Sequence, residues 1–263
     1  MELNLRDKSV LITGGSAGIG KAIAFEFLNE GANVSICGTS EAKLKATQEE
    51  AKSKGFNLDV YQVDVTNKEQ LEDMAEQIAQ KNGGIDVWIN NAGVDLHHTV
   101  LDFPVEDYDR VMKTNLYAVF EGCRIAGEHM IKQGRGGVII NASSYTVNIP
   151  HTRGSVYAAS KAAVSSFTKS IAANFAPYGI RVVGYQPGMV ETEMTKEMCA
   201  RNRDLYIQNV PLGRLGQPED IAKPVVFMAS DACSYITGFD IQVSGGKYSV
   251  QDSRFSWENM VTF

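Results

Sequence analysis

A short apolar run, Val10-Leu11-Ile12, leads directly into Thr13-Gly14-Gly15-Ser16-Ala17-Gly18-Ile19-Gly20 and then into the helix-prone stretch from Lys21 to Gly31. This order, buried strand, glycine turn, helix, constrains the chain more than any other feature. Ile19, Ile23, Phe27 and Leu28 share one helical face, and Gly31 stands where a helix is expected to end. A second apolar run, Asn33 to Cys37, follows at once. A strand, a helix and a strand joined this tightly form a βαβ unit. Its helix N-terminus points unpaired N–H groups and a positive dipole end at whatever lies above the glycine turn, which suits a phosphate.

The alternation continues along the chain. A polar helix is expected over Ser40 to Ser53, a strand over Asn57 to Val63, a helix over Lys68 to Lys81 and a strand over Val87 to Asn90. A long helical pattern runs from Val105 to Lys132. It is followed by the strand Gly137 to Asn141, the helix Val156 to Phe175, the strand Arg181 to Tyr185 and an edge strand near Ile241 to Val243. Such alternation predicts an α/β fold: a doubly wound parallel sheet, Rossmann-like, in a three-layer αβα arrangement. No linker, repeat or charge block divides the 263 residues, so residues 1–263 read as a single dinucleotide-binding catalytic domain. Residues 191–210 break the rhythm with a polar, helix-prone segment after a strand end, and read as a lid. The tail, residues 247–263, carries Tyr248, Phe255, Trp257 and Phe263. These are costly to leave in water, so packing on the domain or on a neighbouring subunit is expected.

Several function classes drop out on charge and patterning. A formal net charge of −6 gives no clustered cationic footprint for nucleic acid or an anionic membrane. No apolar run is long enough to span a bilayer, and the N-terminal stretch lacks the pattern of a secretory signal, so a cytoplasmic protein is expected. Cys37, Cys123, Cys199 and Cys233 are far apart with no CxxC pair, which reads as four reduced and mostly buried thiols.

A glycine turn alone is weak, but this one keeps specific company. Asn90-Asn91-Ala92-Gly93 ends the fourth strand, Ser143-Ser144 follows the fifth, Tyr157-Ala158-Ala159-Ser160-Lys161 lies on the next helix, and Pro187-Gly188 follows the sixth strand. With these motifs the sequence resembles the short-chain dehydrogenase/reductase family from Thr13 to Gly246. The resemblance implies hydride transfer between a nicotinamide dinucleotide and a carbonyl or hydroxyl carbon. It places Asn115, Ser144, Tyr157 and Lys161 at the catalytic positions.

The residue types suit that chemistry. Tyr157 and Lys161 are four apart on a helix and leave the same face about 5–6 Å from one another. A phenol near its usual pKa of about 10 is a poor base at neutral pH, and an adjacent ammonium and an oxidised nicotinamide favour the phenolate. Tyr157 is thus expected to be the general acid/base. Ser144 would hold the substrate oxygen, Lys161 the nicotinamide ribose, and Asn115 a water-mediated proton relay. Ser144 is preferred to Ser143 because it precedes Tyr157 by the family's spacing.

The same resemblance assigns Gly14, Ser16, Gly18, Ile19 and Gly20 to the phosphate turn, and Asp64 and Val65 to the adenine. It gives Asn91, Ala92 and Gly93 to the adenosine ribose, and Pro187, Gly188, Val190 and Thr192 to the nicotinamide. Where NAD-preferring members carry an acidic residue after the second strand, this chain has Gly38, followed by Thr39 and Ser40, whose hydroxyls and helix-start amides suit a phosphate. Against that, Ala17 stands where NADP-preferring members often carry a basic residue. NADP is favoured, with NAD the other choice.

Substrate residues are read from the loops facing the presumed pocket: Asp95, Tyr145, His151 and Met189. Three of the four histidines, His97, His98 and His151, are placed on this side, and no metal is expected because the assigned chemistry needs none. The expected substrate is a small-molecule secondary alcohol or ketone: a polyol, keto-sugar or sugar acid first, with 3-oxoacyl reduction or hydroxysteroid dehydrogenation as alternatives. A non-catalytic dinucleotide sensor is the reading from another class. The resemblance also implies a homotetramer. Two departures from the family, Val183 in place of Asn and Val243-Ser244-Gly245-Gly246 near the end, lie away from the catalytic positions.

Overall fold

The structure, a computed structural model, describes residues 2–247, 252, 253, 255–258 and 260. Its centre is a seven-stranded sheet built from β1 (Ser9–Thr13), β2 (Asn33–Gly38), β3 (Leu58–Gln62), β4 (Val87–Asn90), β5 (Gly137–Ala142), β6 (Ile180–Pro187) and β7 (Asp240–Val243). The order is β3-β2-β1-β4-β5-β6-β7, and every adjacent pair is parallel. The direction of winding reverses between β1 and β4, and sheets of this kind bind ligands beyond the strand ends at such a point.

Side-chain alternation along the strands builds two cores, one per face. Val10, Ile12, Ile36, Val87, Ile89, Ile140 and Val183 point to one side. There they meet α1 (Gly18–Asn29), α2 (Glu41–Ser53) and α9 (Pro218–Ala229). Leu11, Cys37, Trp88, Ile139 and Val182 point to the other. They meet α3 (Lys68–Asn82), α5 (Ala118–Gln133) and α6 (Ser155–Phe175). Two apolar faces on nearly every strand explain why these strands read as continuous hydrophobic runs rather than alternating ones. A polar chain crosses the second core: Trp88 Nε1 donates to Asn90 Oδ1 at 2.8 Å, Asn90 Nδ2 to Asn141 Oδ1 at 2.8 Å, and Asn141 Nδ2 to Thr168 Oγ1 at 2.9 Å. Each buried amide is thereby paired across β4, β5 and α6, which pins their mutual register.

Three features depart from the sequence reading. The long helix expected from Val105 is divided: α4 (Val105–Met112) passes into α5 through a π-helical stretch, Lys113–Tyr117, that holds Asn115. Stretches of this kind concentrate at functional sites. Helix α9 was not anticipated, although Pro218 at its first turn and the reciprocal Gln217–Asp220 capping pair are start signals. The apolar pattern is obscured there by Pro224 inside the helix. Residues 191–210, read as polar and helix-prone, form α7 (Lys196–Arg201) and α8 (Arg203–Ile207), and one side of them is apolar: Cys199, Met198, Tyr206 and Ile207 pack with Met189, Leu215 and Tyr145.

All four cysteines are buried and unpaired. Of the aromatic tail, Tyr248, Phe263 and the side chain of Phe255 lie outside the described residues. The short helix α10 (Phe255–Glu258) carries Trp257, whose Nε1 donates to the Pro211 carbonyl at 2.8 Å and so fastens the tail to the segment following the lid. Among the described residues no helix is long and apolar enough to cross a membrane.

Candidate active site

Beyond the C-terminal ends of the strands lies a cleft of about 790 Å³. Its floor is the glycine turn. Gly14 (φ +65°) and Gly18 (φ +50°) adopt a backbone conformation open mainly to glycine, and Gly20 lets the first turn of α1 lie directly on the Gly14 carbonyl. Ala17 at the N-cap of α1 supplies no side-chain acceptor, whereas α2 and α3 are capped by Ser40 and Asn67. The helix start facing the cleft therefore keeps its N–H groups for a ligand, which fits the diphosphate of a dinucleotide.

The structure brings Gly14, Ser16, Gly18, Ile19, Gly20, Thr39, Ser40, Asp64, Val65, Asn91, Ala92, Gly93, Tyr157, Lys161, Pro187 and Thr192 to the wall of this cleft. Gly188 and Val190 are not on it; with Met189 they border a smaller cavity of about 140 Å³ behind the β6 end. Asn91 lines the cleft, but its side chain is already committed. Its Nδ2 donates to the Thr13 and Gly14 carbonyls at 3.0 and 3.2 Å, and its Oδ1 accepts from the Tyr185 hydroxyl at 2.8 Å. Its main-chain N–H donates to Thr13 Oγ1 at 3.0 Å as well, so Asn91 braces the glycine turn and leaves its main-chain carbonyl for a ribose. Asp64 Oδ1 accepts from Thr66 N and Oγ1 at 2.9 and 2.8 Å, so its other oxygen is the one that faces a ligand.

Sequence reasoning missed Lys43. It lines the cleft beside Thr39 and Ser40, and its Nζ pairs with Glu193 Oε2 at 2.7 Å across the opening. Its position three residues after the N-cap serine was the available signal. Tyr185, buried beneath Asn91, was read only as a strand residue.

Of the four catalytic candidates, Tyr157 and Lys161 line the other end of the cleft, and Ser143 stands on its wall with them. Ser144 and Asn115 are buried behind that wall. Lys161, fully buried on α6, donates from Nζ to the Ala142 carbonyl at 2.8 Å and lies 5.8 Å from the centre of the Tyr157 ring. Burial lowers its pKa to about 8, with the Asp95 carboxylate pulling the other way. Tyr157 departs from the sequence expectation of a lowered pKa. Burial raises it well above the usual phenol range and the Asp95 charge raises it further, while a hydrogen bond with Ser144 pulls it down. Burial is the largest of these effects in the protein by itself. Ser143 Oγ donates to the Lys161 carbonyl at 3.1 Å and so fastens β5 to α6, whereas Ser144 bonds Tyr157. Asn115 is locked: its Oδ1 accepts from Val94 N at 2.8 Å, and its Nδ2 donates to Val94 O at 2.9 Å and to Ser160 Oγ at 3.1 Å. A proton relay at this position has only the main-chain carbonyl to use.

On the substrate side, Asp95, His97 and His151 come together, each offering a ligand atom within 4.8 Å of the others. His98 does not join them. Its Nε2 bonds Asp107 Oδ2 at 2.8 Å and its ring meets Phe103, so it anchors the loop to the start of α4. Tyr145 packs against the lid core with Met189, and burial raises its hydroxyl pKa to about 12.

Comparison with known proteins adds to this geometry. A family model described as enoyl-(acyl carrier protein) reductase matches residues 14–247. The 3-oxoacyl-[acyl-carrier-protein] reductase FabG of Thermotoga maritima is 38% identical over 244 residues, covering 93% of this chain and 99% of its own. A short-chain type dehydrogenase/reductase from Mycobacterium marinum superposes with a TM-score of 0.91 at 35% identity, covering 95% of this chain and 98% of its own. A putative gluconate dehydrogenase from Agrobacterium tumefaciens does so with a TM-score of 0.91 at 28% identity, covering 95% and 100%.

Proposed function

The chain belongs to the short-chain dehydrogenase/reductase family, and from that premise we propose that this NAD(P)-dependent oxidoreductase reduces the ketone of a 3-oxoacyl thioester. Tyr157 and Lys161 on the wall of a dinucleotide-sized cleft, with Ser144 bonded to Tyr157, carry the reading of the reaction. The substrate class rests on the likeness to 3-oxoacyl reductases, which favours that alternative over the polyol that the loop composition put first. When bound, the nicotinamide supplies the hydride.

The protein's own groups do the rest. Tyr157, held protonated by burial, gives its proton to the substrate oxygen, and Ser144 fixes that oxygen in line with it. Lys161 is tied to the Ala142 carbonyl, which aims its ammonium at the cleft, and it restores charge balance once Tyr157 has lost its proton. NADP is the favoured cofactor: Gly38 presents no carboxylate, Thr39 and Ser40 offer hydroxyls, and Lys43 supplies the cation the sequence reading lacked. A cytoplasmic homotetramer is part of the same reading. Its support is an apolar groove of Met112, Leu116, Tyr117, Phe120 and Phe167 on the helices that carry the catalytic Asn115 and Tyr157, with Tyr117 and Phe120 exposed.

A second reading, a neutral hydroxylated ketone, is favoured by the polar Asp95–His97–His151 wall. Absorbance at 340 nm separates the two. With NADPH and NADH offered against oxoacyl thioesters, keto-sugars and simple ketones, the expected result is fastest oxidation of NADPH with a 3-oxoacyl thioester. A hit confined to keto-sugars would replace the first reading by the second.

The Lys161 value sets a pH dependence. With a pKa lowered to about 8, the ammonium is present below that pH and lost above it. Kcat/KM for the cofactor, which reports the free enzyme, should fall as pH rises through about 8. In Lys161→Met the remaining activity should lack that limb, and a limb that survives would assign it elsewhere.

A further inference from the structure

The loop after β4 and the loop before α6 are built into one unit. Val94 is held on both sides of its peptide by Asn115, so Asp95 leaves from a fixed point. His98 N donates to the Arg153 carbonyl at 2.9 Å, which joins the two loops, and the His98–Asp107 bond ties them to α4. Gly154 makes room for the ring of His151: a Cβ there would lie 3.0 Å from Nδ1 and still closer to other ring atoms. The rings of His97 and His151 stack at 5.0 Å, and His97 Nε2 bonds Asp95 Oδ2 at 3.1 Å.

One acceptor in this unit is left over. Asp95 Oδ1 is buried and has no hydrogen-bond partner among the described residues. A buried carboxylate oxygen with no donor is unfavourable, and a ligand that brings one removes the penalty. The unit adjoins the reacting groups: Val94, next to Asp95 in the chain, lines the cleft with Tyr157 and Lys161, and the Asp95 charge acts on Tyr157, Lys161 and Tyr145. Burial holds His151 below the ordinary imidazole pKa, which keeps it neutral at pH 7. The unit therefore offers the Asp95 carboxylate with one oxygen lacking a partner among the described residues. Tyr145, which feels the Asp95 charge, packs on its other side into an apolar cluster with Met189, Cys199 and Leu215.

We propose that Asp95, His97 and His151 form the subsite that reads the substrate's second functional group. It accepts a neutral hydrogen-bond donor a few atoms from the reacting carbonyl and turns away a carboxylate in that place. The inference rests on the ketoreductase reading and narrows it: free oxo acids and sugar acids are poor substrates, whereas ketones with a nearby N–H or O–H are good ones. Two sources supply such a donor, the amide of a thioester arm or a hydroxyl on the ketone skeleton.

Matched substrates test this on the full chain. The first arm compares the N-acetylcysteamine thioester of 3-oxobutyrate with its ethyl ester and with the free acid. The second compares hydroxyacetone with methoxyacetone. The wild type should prefer the donor-bearing member of the responsive pair by at least about tenfold in kcat/KM, because a site built around a donor rejects the analogue that lacks it. The arm that responds identifies the source. In Asp95→Leu that ratio should collapse toward one. In Asp95→Asn, which keeps the shape and removes the charge, discrimination against the free acid should shrink. Equal losses on every substrate, with the ratios unchanged, would reduce Asp95 to a structural role and overturn the subsite. Stoichiometric binding of Zn²⁺ alone, lost in His151→Ala, would overturn it in favour of a metal centre. A wild type that turns over no ketone would overturn the ketoreductase reading and the subsite with it.

Discussion

Tyr157→Phe should lower kcat for ketone reduction by about 10²- to 10⁴-fold, the span that a positioned general acid contributes. The substitution removes one hydroxyl and little else. The ring remains half-buried on α6, Lys161 keeps its bond to the Ala142 carbonyl, and the group that loses a partner is Ser144. Dinucleotide binding, measured by quenching of protein fluorescence or by calorimetry, should stay within about threefold, because the glycine turn and the adenosine end of the cleft do not touch this hydroxyl. The pairing of the two results decides between classes of function. A protein that only senses its dinucleotide would show neither turnover nor a response to the substitution, whereas an enzyme working through another acid would keep its rate in the variant. Turnover unchanged in Tyr157→Phe would remove the assigned mechanism, whatever the fold.

What the sequence reveals and what it hides follow from the range of the interactions involved. The parallel sheet was legible because buried strands of four to eight residues and amphipathic helices are written locally, in runs such as Ser9–Thr13 and Val87–Asn90. The cleft wall was legible for the same reason, since the glycine turn and the strand ends are short contiguous motifs. Lys43 and Glu193 are 150 positions apart, and only the doubly wound topology sets one across the opening from the other. His98 was grouped with its neighbours by position in the chain, although the turn of the loop sends it to Asp107 while His97 goes to Asp95. The π-helical stretch at Asn115 has no local signature, and the partners its side chain meets there, Val94 and Ser160, are 21 and 45 positions away in the chain. The upward shift of Tyr157 in the protein without its cofactor is hidden from the sequence because spacing to Lys161 can be counted along a helix and desolvation cannot.

Gly20→Ala should weaken dinucleotide binding by about ten- to a hundredfold, and the cause is a contact between backbones. A Cβ at Gly20 would lie within 3.0 Å of the Gly14 carbonyl carbon, and nearer still to the carbonyl oxygen and to Asn91 Nδ2. Neither partner is the loose end of a flexible side chain. The Gly14 carbonyl belongs to the turn itself, and Asn91 is held there by its own bonds to Thr13 and Gly14 and by Tyr185. The added methyl group must therefore lift the first turn of α1 off the turn that precedes it, which moves the N–H groups that face the cleft. Overpacking of this kind costs about 1–3 kcal/mol, and each 1.4 kcal/mol is tenfold in affinity, which gives the stated range if the strain falls on the bound state. Whatever part of the strain the free protein already carries lowers the melting temperature instead, by about 2–4 °C per kcal/mol for a chain of this length. Circular dichroism establishes that the variant folds, and binding of NADPH by the folded variant is then the deciding measurement. Affinity within twofold of the wild type would show that α1 and the glycine turn can separate without cost, and that the phosphate end of the cleft is not shaped by their contact.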